Sequence, residues 1–381
     1  MKLTRFLFNI ILFAFLVNQL SCSDNKGKEN ATEMIESYSM ADFKSVSKID
    51  VHVHINTEET WMIDEAQANN FKLMVMAVDV IPEYPPMSEQ LRVRIKHYRE
   101  NPNVVTFSTA FTLEGWDEPE WSDKVIEKLQ EDFDHGAVGV KTWKNIGMKE
   151  RDKDGNLITL DDPKFDPVFQ FIKDANKVLI SHAGEPKNCW LPLEEMTVKN
   201  DQNYFGEHPE YHMYLHPEMP SYENQIEARD NMLSKNQELI FVGAHMASLE
   251  WSIDELAKFL DRFPNASVDL AERLSHVQYQ SQLDYNKVRV FFMEYQDRIL
   301  YGTDFQQLED TDALILKKNM NERWLLDWKY FNTDEMMSVP ELDLKFQGLA
   351  LPKIVVDKIY RLNAERVFNF KSYKVDNPGN I

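Results

Sequence analysis

From Lys48 onward, short apolar runs alternate with segments whose apolar residues recur at helical spacing. Near-continuous apolar runs are typical of strands buried on both faces, as in a parallel sheet covered by helices. Eight such runs are present, at 48–55, 71–80, 104–111, 136–143, 177–182, 239–245, 266–271 and 298–304. Helical patterns lie between them, for example at 119–135, 163–176, 221–235 and 252–263. Eight strand–helix units predict an α/β fold, a (β/α)8 TIM barrel.

Two connections are longer than a minimal barrel requires. One spans 183–220, after the fifth predicted strand, and the other spans 305–340, after the eighth. Both follow strand C-termini, the face on which barrel enzymes place their active sites. Long connections in a compact domain are usually functional. The first is rich in aromatic residues and histidines, so it either covers a ligand as a lid or buries its own rings.

The segment before the first strand has the pattern of an export signal. Lys2 and Arg5 precede an apolar run at 6–17, which is too short to span a membrane comfortably. The Leu-Ser-Cys that follows resembles a bacterial lipoprotein signal, in which Cys22 is lipidated and becomes the new N-terminus. We therefore expect an exported lipoprotein, periplasmic or at the cell surface and anchored to the membrane. Its predicted segments are a signal peptide (1–21), a polar tether (22–46), the barrel (47–371) and a C-terminal tail (372–381).

Composition and charge restrict the partners. The 381 residues include 63 acidic and 42 basic side chains, a formal net charge of −21. This acidity disfavours a nucleic-acid partner, which requires a basic face, and also a polybasic membrane patch. Membrane contact is thus expected only through the N-terminal lipid, and the oligomeric state stays open. The only cysteines are Cys22 and Cys189, so lipidation of Cys22 would leave no intrachain disulfide.

Two histidines interrupt the first apolar run, "KIDVHVHI". Because side chains alternate faces along a strand, His52 and His54 are predicted to share one face with Asp50. Two imidazoles on one face can both reach a single cation. The alternative is a pair of core histidines bonded to backbone groups, and this octapeptide alone leaves both open.

Polar residues also stand at the C-terminal ends of other predicted strands, where apolar side chains are expected. The full set is His52, His54, Lys141, His182, His245 and Asp304. Each alone has a structural explanation, such as a helix cap or a lysine reaching water. Several imidazoles and a carboxylate converging on one barrel mouth would be costly without a shared cation or protons. Nitrogen and oxygen ligand sets of this kind suit Zn, Mn or Fe.

The spaced motifs resemble the amidohydrolase superfamily. They are "DVHVH", "ISHAGEP", "VGAHMAS" and "YGTDF", and "IYRLNAERVF" (359–368) resembles the closing helix of the amidohydrolase-related branch. The resemblance implies that one or two divalent metals, zinc foremost, are bound by His52, His54, His182 and Asp304. It also implies that His245 contacts substrate or a second metal. Lys141 matches a position that some relatives carbamylate to bridge two metals, and a lysine that holds a substrate oxygen is equally open.

These residues predict a metal-dependent hydrolase that cleaves an amide, lactone or ester bond of a small molecule. A divalent ion lowers the pKa of its water to about 7, and Asp304 would pass the water proton to the leaving group. His245 and Lys141 are the other predicted catalytic residues, as stabilisers of the developing oxyanion. Two alternatives stay open: a metal-dependent decarboxylase or other lyase of the same scaffold, and a surface lipoprotein that only binds a small molecule.

Substrate contacts are expected from the loops that follow the fourth and seventh predicted strands. Lys144 and Asn145 follow the fourth strand, and Arg273 and His276 follow the seventh. These four side chains are candidates to hold a carboxylate or sugar hydroxyls, since arginine in particular recognises carboxylates with two parallel hydrogen bonds.

Lipidation of Cys22 has a direct test. In a bacterium that processes lipoproteins, Cys22→Ala should move the protein from the detergent-soluble membrane fraction to the soluble fraction, because the acyl chains that hold it would be missing. Fractionation followed by immunoblotting measures the distribution, and Cys189→Ala serves as the matched control. Unchanged membrane partition of Cys22→Ala would show that any anchor lies elsewhere.

Overall fold

A computed structural model describes residues 36–79, 81 and 83–370 of the chain. The predicted signal peptide, Cys22 and the C-terminal tail lie outside these residues. Within the described part, none of the helices combines the length and the apolar character needed to cross a membrane.

Ten short parallel strands form the barrel wall, in two sheets with the orders β10-β1-β2-β3 and β4-β5-β6-β7-β8-β9. Their bounds are β1 Lys48–Ile55, β2 Phe71–Val75, β3 Val105–Phe107, β4 Thr109–Ala110, β5 Gly139–Thr142, β6 Val178–Ser181, β7 Ile240–Gly243, β8 Ala266–Asp269, β9 Ile299–Leu300 and β10 Phe305–Gln307. The continuous segment 105–110 contributes β3 to one sheet and β4 to the other, and the segment 299–307 contributes β10 and β9 in the same way. The two sheets are therefore joined along both of their edges. The predicted (β/α)8 barrel is confirmed.

Most of the helices in the described residues cover the outside of this wall, while one belongs to the connection at 183–220 and the last closes the barrel. They are α1 Trp61–Ala68, α2 Met87–Glu100, α3 Trp121–Asp134, α4 Asn145–Met148, α5 Asp166–Asp174, α6 Lys199–Glu207, α7 Tyr222–Lys235, α8 Ala244–Ala247, α9 Ile253–Arg262, α10 Leu274–Leu283, α11 Tyr285–Glu294, α12 Ala313–Asn332, α13 Lys353–Asp357 and α14 Asn363–Phe368. The four predicted helical segments are confirmed as α3, α5, α7 and α9. Ser252 caps α9, because its side chain accepts the Glu255 amide N–H at 3.3 Å.

Both long connections are folded. The connection at 183–220 contains α6 and four short 3-10 helices, and it has a small core of its own, made of Cys189, Met196, Phe205 and Met213. The second connection contains α12, which packs on the barrel wall, and a hairpin of β11 Met336–Met337 and β12 Phe346–Gln347. Only the first connection has its own core apart from the barrel wall, and we call residues 183–220 the lid.

Strand β1 pairs with β2 in one register up to Asp50 and in a register shifted by one residue from Val53 onward. Strand β1 therefore has one extra residue between these two positions. Before the shift, Ile49 and Val51 belong to the core inside the barrel. After the shift, Val53 belongs to the outer core beneath the helices. The extra residue is a β-bulge, a feature that re-aims side chains next to many active sites.

The bulge separates residues that simple alternation would group together. His52 and His54 both face the cavity at the barrel mouth. Asp50 turns toward α12, where its carboxylate accepts the Thr303 hydroxyl at 2.6 Å and the Trp324 indole N–H at 3.3 Å. The prediction that Asp50 shares a face with the two histidines is wrong, because the inserted residue resets the alternation.

The barrel interior is filled below the cavity and closed at its amino end. The filling side chains are mostly branched or unbranched aliphatics from five strands, together with three residues of α14: Ile49, Val51, Met74, Met76, Val178, Ile180, Val242, Leu300, Ala364, Val367 and Phe368. The predicted closing helix at 359–368 thus plugs the barrel. This packed floor leaves the carboxyl ends of the strands as the open mouth.

The chain is already part of the domain before β1. The buried ring of Phe43 lies against Phe71 and Trp328, with ring centroids 6.2 and 5.9 Å apart. The Lys48 ammonium, 4.5 Å from the Phe43 ring, donates to the Phe43 and Val46 carbonyls. The predicted tether at 22–46 therefore overlaps the folded domain, since described residues from 36 onward pack against it.

Phe43 tests this revised boundary. Phe43→Ala should lower the free energy of unfolding by about 3–5 kcal/mol, the usual cost of emptying a buried aromatic site. Urea denaturation measures the change, and Lys44→Ala, at the exposed neighbouring position, is the control. If both variants unfold at the same urea concentration, residues before 48 act as a tether after all.

Candidate metal centre and active site

A cavity of about 800 Å³ opens at the carboxyl ends of the barrel strands. All six polar residues predicted at strand ends line it, together with side chains from the lid at 183–220. The sequence-based expectation that His52, His54, Lys141, His182, His245 and Asp304 converge at one mouth agrees with this arrangement.

Asp304 brings the two β1 histidines together. One of its carboxylate oxygens lies 3.0 Å from His54 Nε2 and 3.2 Å from His52 Nε2. Asp304 has a left-handed φ of 68°, and its backbone N–H donates to the His52 carbonyl at 2.7 Å. At Gly302, a β-carbon would come within 3.0 Å of the His52 β-carbon. The glycine therefore allows the strand bearing Asp304 to approach β1 closely.

His182 and His245 complete a group of four imidazoles. The His245 ring centroid lies 4.2 Å from that of His182 and 4.8 Å from that of His52. His182 directly follows β6, and its backbone N–H donates to the Thr142 carbonyl at 3.1 Å. Among the described residues, the buried His182 Nε2 atom has no hydrogen-bond partner. A buried imidazole nitrogen without a hydrogen-bond partner, beside a carboxylate-imidazole cluster, is suited to ligate a cation.

His245 begins a left-handed turn that is rare for residues with side chains. Residues 245–248 all have φ between 55° and 58°, a conformation that costs roughly 1–2 kcal/mol per residue. Gly243 makes the turn possible, because a β-carbon there would lie 2.4 Å from the Ala247 β-carbon. Strain of this kind persists only where surrounding contacts impose it, and it is common at functional sites.

Several buried contacts hold this turn. The Ser248 hydroxyl donates to the Gly184 carbonyl at 2.6 Å, and Tyr222 donates to the Ser248 carbonyl. Arg229 donates to the Ala247 carbonyl. The His245 Nδ1 atom lies 3.0 Å from the Ala271 carbonyl oxygen. Because a carbonyl only accepts, the hydrogen of this bond is on Nδ1, and Nε2 of His245 carries a lone pair.

Lys141 reaches the same group from β5. Its ammonium nitrogen lies 3.2 Å from His52 Nε2, and the side chain is 2% exposed. Burial lowers the pKa of Lys141 to about 8, and the nearby Asp269 and Asp304 carboxylates oppose that shift. When protonated, Lys141 contributes a positive charge to the cavity floor.

The protonation states of the cluster suit metal binding. Burial lowers the pKa of His54 to about 4, and it holds the pKa values of His182 and His245 well below their usual range. Burial opposes charge on Asp304, but His52 and His54 hold its pKa well below the usual range. Neutral imidazoles and an ionised carboxylate are the forms that ligate a cation.

The donor set therefore fits a divalent cation. Ligand atoms of His52, His54 and Asp304 lie within 4.8 Å of one another. Together with the unpartnered His182 nitrogen, they form a nitrogen and oxygen set of the kind that binds zinc. The same four residues are the metal ligands expected from the sequence.

The predicted substrate contacts divide into two pairs. Lys144 and Arg273 line the cavity, whereas Asn145 and His276 do not. The Asn145 carbonyl accepts the backbone N–H groups of two following residues, 149 and 150, at the tight turn of α4. His276 lies on the buried face of α10, where its Nε2 atom is 3.1 Å from an Asp201 oxygen. Neither side chain reaches the cavity lining, because the backbone departs from helical geometry directly after Asn145 and because His276 packs inside the protein.

Other cavity residues were not predicted. Tyr84, Glu185, Asp201 and Glu272 line the cavity from loops and from the lid, and no local pattern marks them. Asp269 is different. It is the last residue of β8, and its carboxylate oxygen lies 2.9 Å from His52 Nδ1. The rule that found the other residues, a polar side chain at the end of an apolar strand, also applies to it.

Comparison with known proteins identifies the family and agrees with the fold. A family model described as Amidohydrolase matches residues 49–370. Among curated proteins, no sequence matches the chain. An uncharacterized TIM-barrel protein from Bordetella bronchiseptica is similar over 85% of this chain and 99% of its own, with 14% identity and a TM-score of 0.51. A 2,6-dihydroxybenzoate decarboxylase from Rhizobium is similar over 85% of this chain and 98% of its own, with 15% identity and a TM-score of 0.50. At such identities the structural similarity supports the fold alone.

Removing one ligand should weaken metal binding without unfolding the protein. We expect His182→Gln to lower zinc affinity by at least about 10-fold. Loss of a residue that only supports a metal ligand already costs about 10-fold or more, and loss of a ligand should cost at least as much. Chelator competition measures the affinity, and thermal unfolding checks the fold. His216→Gln, in the lid but outside the cavity lining, is the control. Equal affinities for the two variants would remove His182 from the ligand set.

Proposed function

The chain belongs to the amidohydrolase family, and from that premise we propose that it is a metal-dependent hydrolase of a small-molecule amide, lactone or ester. The observation that carries the proposal is the contact of Asp304 with both His52 and His54, beside His182, at the mouth of the barrel. This arrangement combines a cation site with a carboxylate that can accept a proton. Hydrolysis by a metal-activated water uses both functions at one place.

His52, His54, His182 and Asp304 would hold the metal. When bound, a divalent cation polarises a carbonyl oxygen and makes water acidic enough to attack at neutral pH. Asp304 has a further role, since its ionised carboxylate faces the cavity and can take the proton of the attacking water. The same group, once protonated, can deliver that proton to the leaving nitrogen or oxygen.

Lys141 and His245 have different capacities. When protonated, Lys141 can donate to an oxyanion that develops in the cavity, a contribution of about 3 kcal/mol for one well-placed donor. His245 is neutral, and its Nδ1–H donates to the Ala271 carbonyl. It therefore offers a lone pair to the cavity, for a proton or a cation. We assign oxyanion stabilisation to Lys141 and a basic role to His245.

Arg273 and the lid support a flat, anionic substrate. Arg273 is only 8% exposed and lines the cavity, while its Nε atom has no partner among the described residues. A buried guanidinium with unused donors favours a carboxylate. On the lid, the rings of Tyr204 and Tyr211 line the same cavity and are nearly parallel, with an angle of 10° between their planes. Such rings favour contact with a flat substrate face.

We also propose that the enzyme acts outside the cytoplasm as a lipoprotein, with one or two zinc ions or, alternatively, Mn or Fe. The basic and apolar pattern before Cys22 supports export. An exported enzyme of this kind would meet substrates from the environment of the cell. A metal-dependent decarboxylase of the same scaffold is the alternative reaction.

A substrate screen distinguishes these reactions. Metal-loaded protein is incubated with lactones, amides, esters and aromatic carboxylates, and acid release and CO₂ release are recorded separately. The proposal expects acid release from at least one lactone, amide or ester, with no CO₂. Turnover accompanied by stoichiometric CO₂ would establish the decarboxylase instead, and protein that retains no metal after reconstitution would exclude both.

Asp304→Asn tests the proton-transfer role. Asparagine keeps the shape and one oxygen ligand but cannot act as a base, so turnover should fall by about 10²-fold or more while folding stays normal. Metal content per chain and turnover are measured on the same samples. Asp310→Asn, an exposed position in the same connection, is the control. Turnover within about threefold of wild type at full metal occupancy would reject the base role.

A further inference from the structure

We propose that Asp269 is a positioning residue that fixes the tautomer of His52, so that the Nε2 atom of His52 is available to a cation. The importance of that tautomer for catalysis rests on the proposed function. The assignment of the hydrogen itself does not, because it follows from contacts within the chain.

Asp269 is completely buried and surrounded by N–H donors. One carboxylate oxygen, Oδ1, accepts the backbone N–H of His245 at 2.7 Å and that of Ala271 at 3.2 Å. The other oxygen, Oδ2, lies 2.9 Å from Nδ1 of His52. A carboxylate with this environment acts only as an acceptor, so the third contact also requires a donor.

The hydrogen of this third bond is therefore on Nδ1 of His52. A neutral imidazole carries one hydrogen, and the opposite nitrogen then has a lone pair. That nitrogen, Nε2, is the atom 3.2 Å from Asp304. Histidines that bind metals through one nitrogen usually donate from the other to a carboxylate or a carbonyl, which holds both the tautomer and the ring orientation.

Asp269 is better placed for this role than for direct ligation. Ligand atoms of His52, His245 and Asp269 do lie within 4.8 Å of one another, as in a metal site. However, the Asp269 oxygen and His52 Nδ1 are at hydrogen-bond distance, and the other oxygen already accepts two backbone N–H groups. A cation at Nδ1 would also lie on the side of the ring opposite to Nε2, the nitrogen that faces Asp304.

The same carboxylate links two parts of the site. Its Oδ1 atom anchors the amide of His245, where the left-handed turn begins, while its Oδ2 atom orients His52 on β1. An amide in place of the carboxylate would affect these parts differently. In Asp269→Asn, the remaining oxygen can still accept both backbone N–H groups. The new NH₂ group faces His52 Nδ1 and forces that nitrogen to become an acceptor.

The test is a measurement of the His52 hydrogen position and of zinc affinity. Protein labelled with ¹⁵N-histidine is freed of metal and studied by long-range ¹H–¹⁵N spectra at alkaline pH, with the His52 signals assigned from His52→Gln. We expect the hydrogen on Nδ1 in the wild type and on Nε2 in Asp269→Asn. Zinc affinity, from chelator competition, should fall at least about 10-fold in Asp269→Asn.

Asp327→Asn is the matched control. Asp327 is also buried, but it accepts a hydrogen bond from the Tyr301 hydroxyl, which can donate or accept. This variant should leave the His52 tautomer and zinc affinity unchanged. A wild-type His52 with its hydrogen on Nε2 would overturn the proposal even if Asp269→Asn fails to fold. Unchanged zinc affinity in folded Asp269→Asn would overturn it as well.

The positioning role of Asp269 and the metal-dependent hydrolase can fail independently of each other. If wild-type protein binds no metal but holds the His52 hydrogen on Nδ1, the metal-dependent hydrolase fails and the positioning role of Asp269 stands. If wild-type protein binds metal and Asp269→Asn binds it equally well, the hydrolase stands and the positioning role fails.

Discussion

The one-residue register shift in β1 is the constraint on which the site depends. A strand with regular alternation would place His52 and His54 on the face of Asp50, and either the acid or the histidines would be misplaced. With the bulge, both imidazoles face the cavity, while Asp50 bonds to Thr303 and Trp324 on the outer side. The acid thereby ties β1 to the segment after β9 and to α12. That segment continues to Asp304, so the bulge also brings the shared carboxylate to the two histidines.

The left-handed turn at 245–248 shows how the fold sustains a local conformation that the chain alone disfavours. The cost of roughly 1–2 kcal/mol per residue is met by contacts from three separate parts of the chain. These contacts come from β8 through Asp269, from α7 through Tyr222 and Arg229, and from the start of the lid through Gly184. Because the supports come from such distant parts of the sequence, tertiary structure and not local preference positions His245.

The parts that were predictable from sequence are those set by local chemistry. Alternating apolar runs and helical patterns predicted the barrel, and unexpected polar residues at strand ends predicted the cavity lining. The face of Asp50 was not predictable, because a bulge is decided by pairing with the neighbouring strand. Asn145 and His276 were misassigned because the direction of their side chains depends on backbone geometry and packing. The start of the domain was not predictable because a few apolar side chains in a largely polar segment, Phe43 with Tyr38 and Val46, pack on the barrel. Asp269 is also a polar residue at the end of a strand. It was not predicted as a site residue because it lies inside the apolar run 266–271 and not at the end of that run.

The lid has its own core, built from Cys189, Met196, Phe205 and Met213, while the candidate metal ligands come from the barrel strands and the residues that directly follow them. Its ties to the barrel include the Lys144–Glu185 and Asp201–His276 pairs. Such a separation lets selection act on the two parts at different rates. Residues 187–216 can diversify, lengthen or be exchanged between relatives as a unit, with compensation needed only at a few boundary pairs. The barrel would determine the reaction, and the lid would determine which molecules enter the cavity.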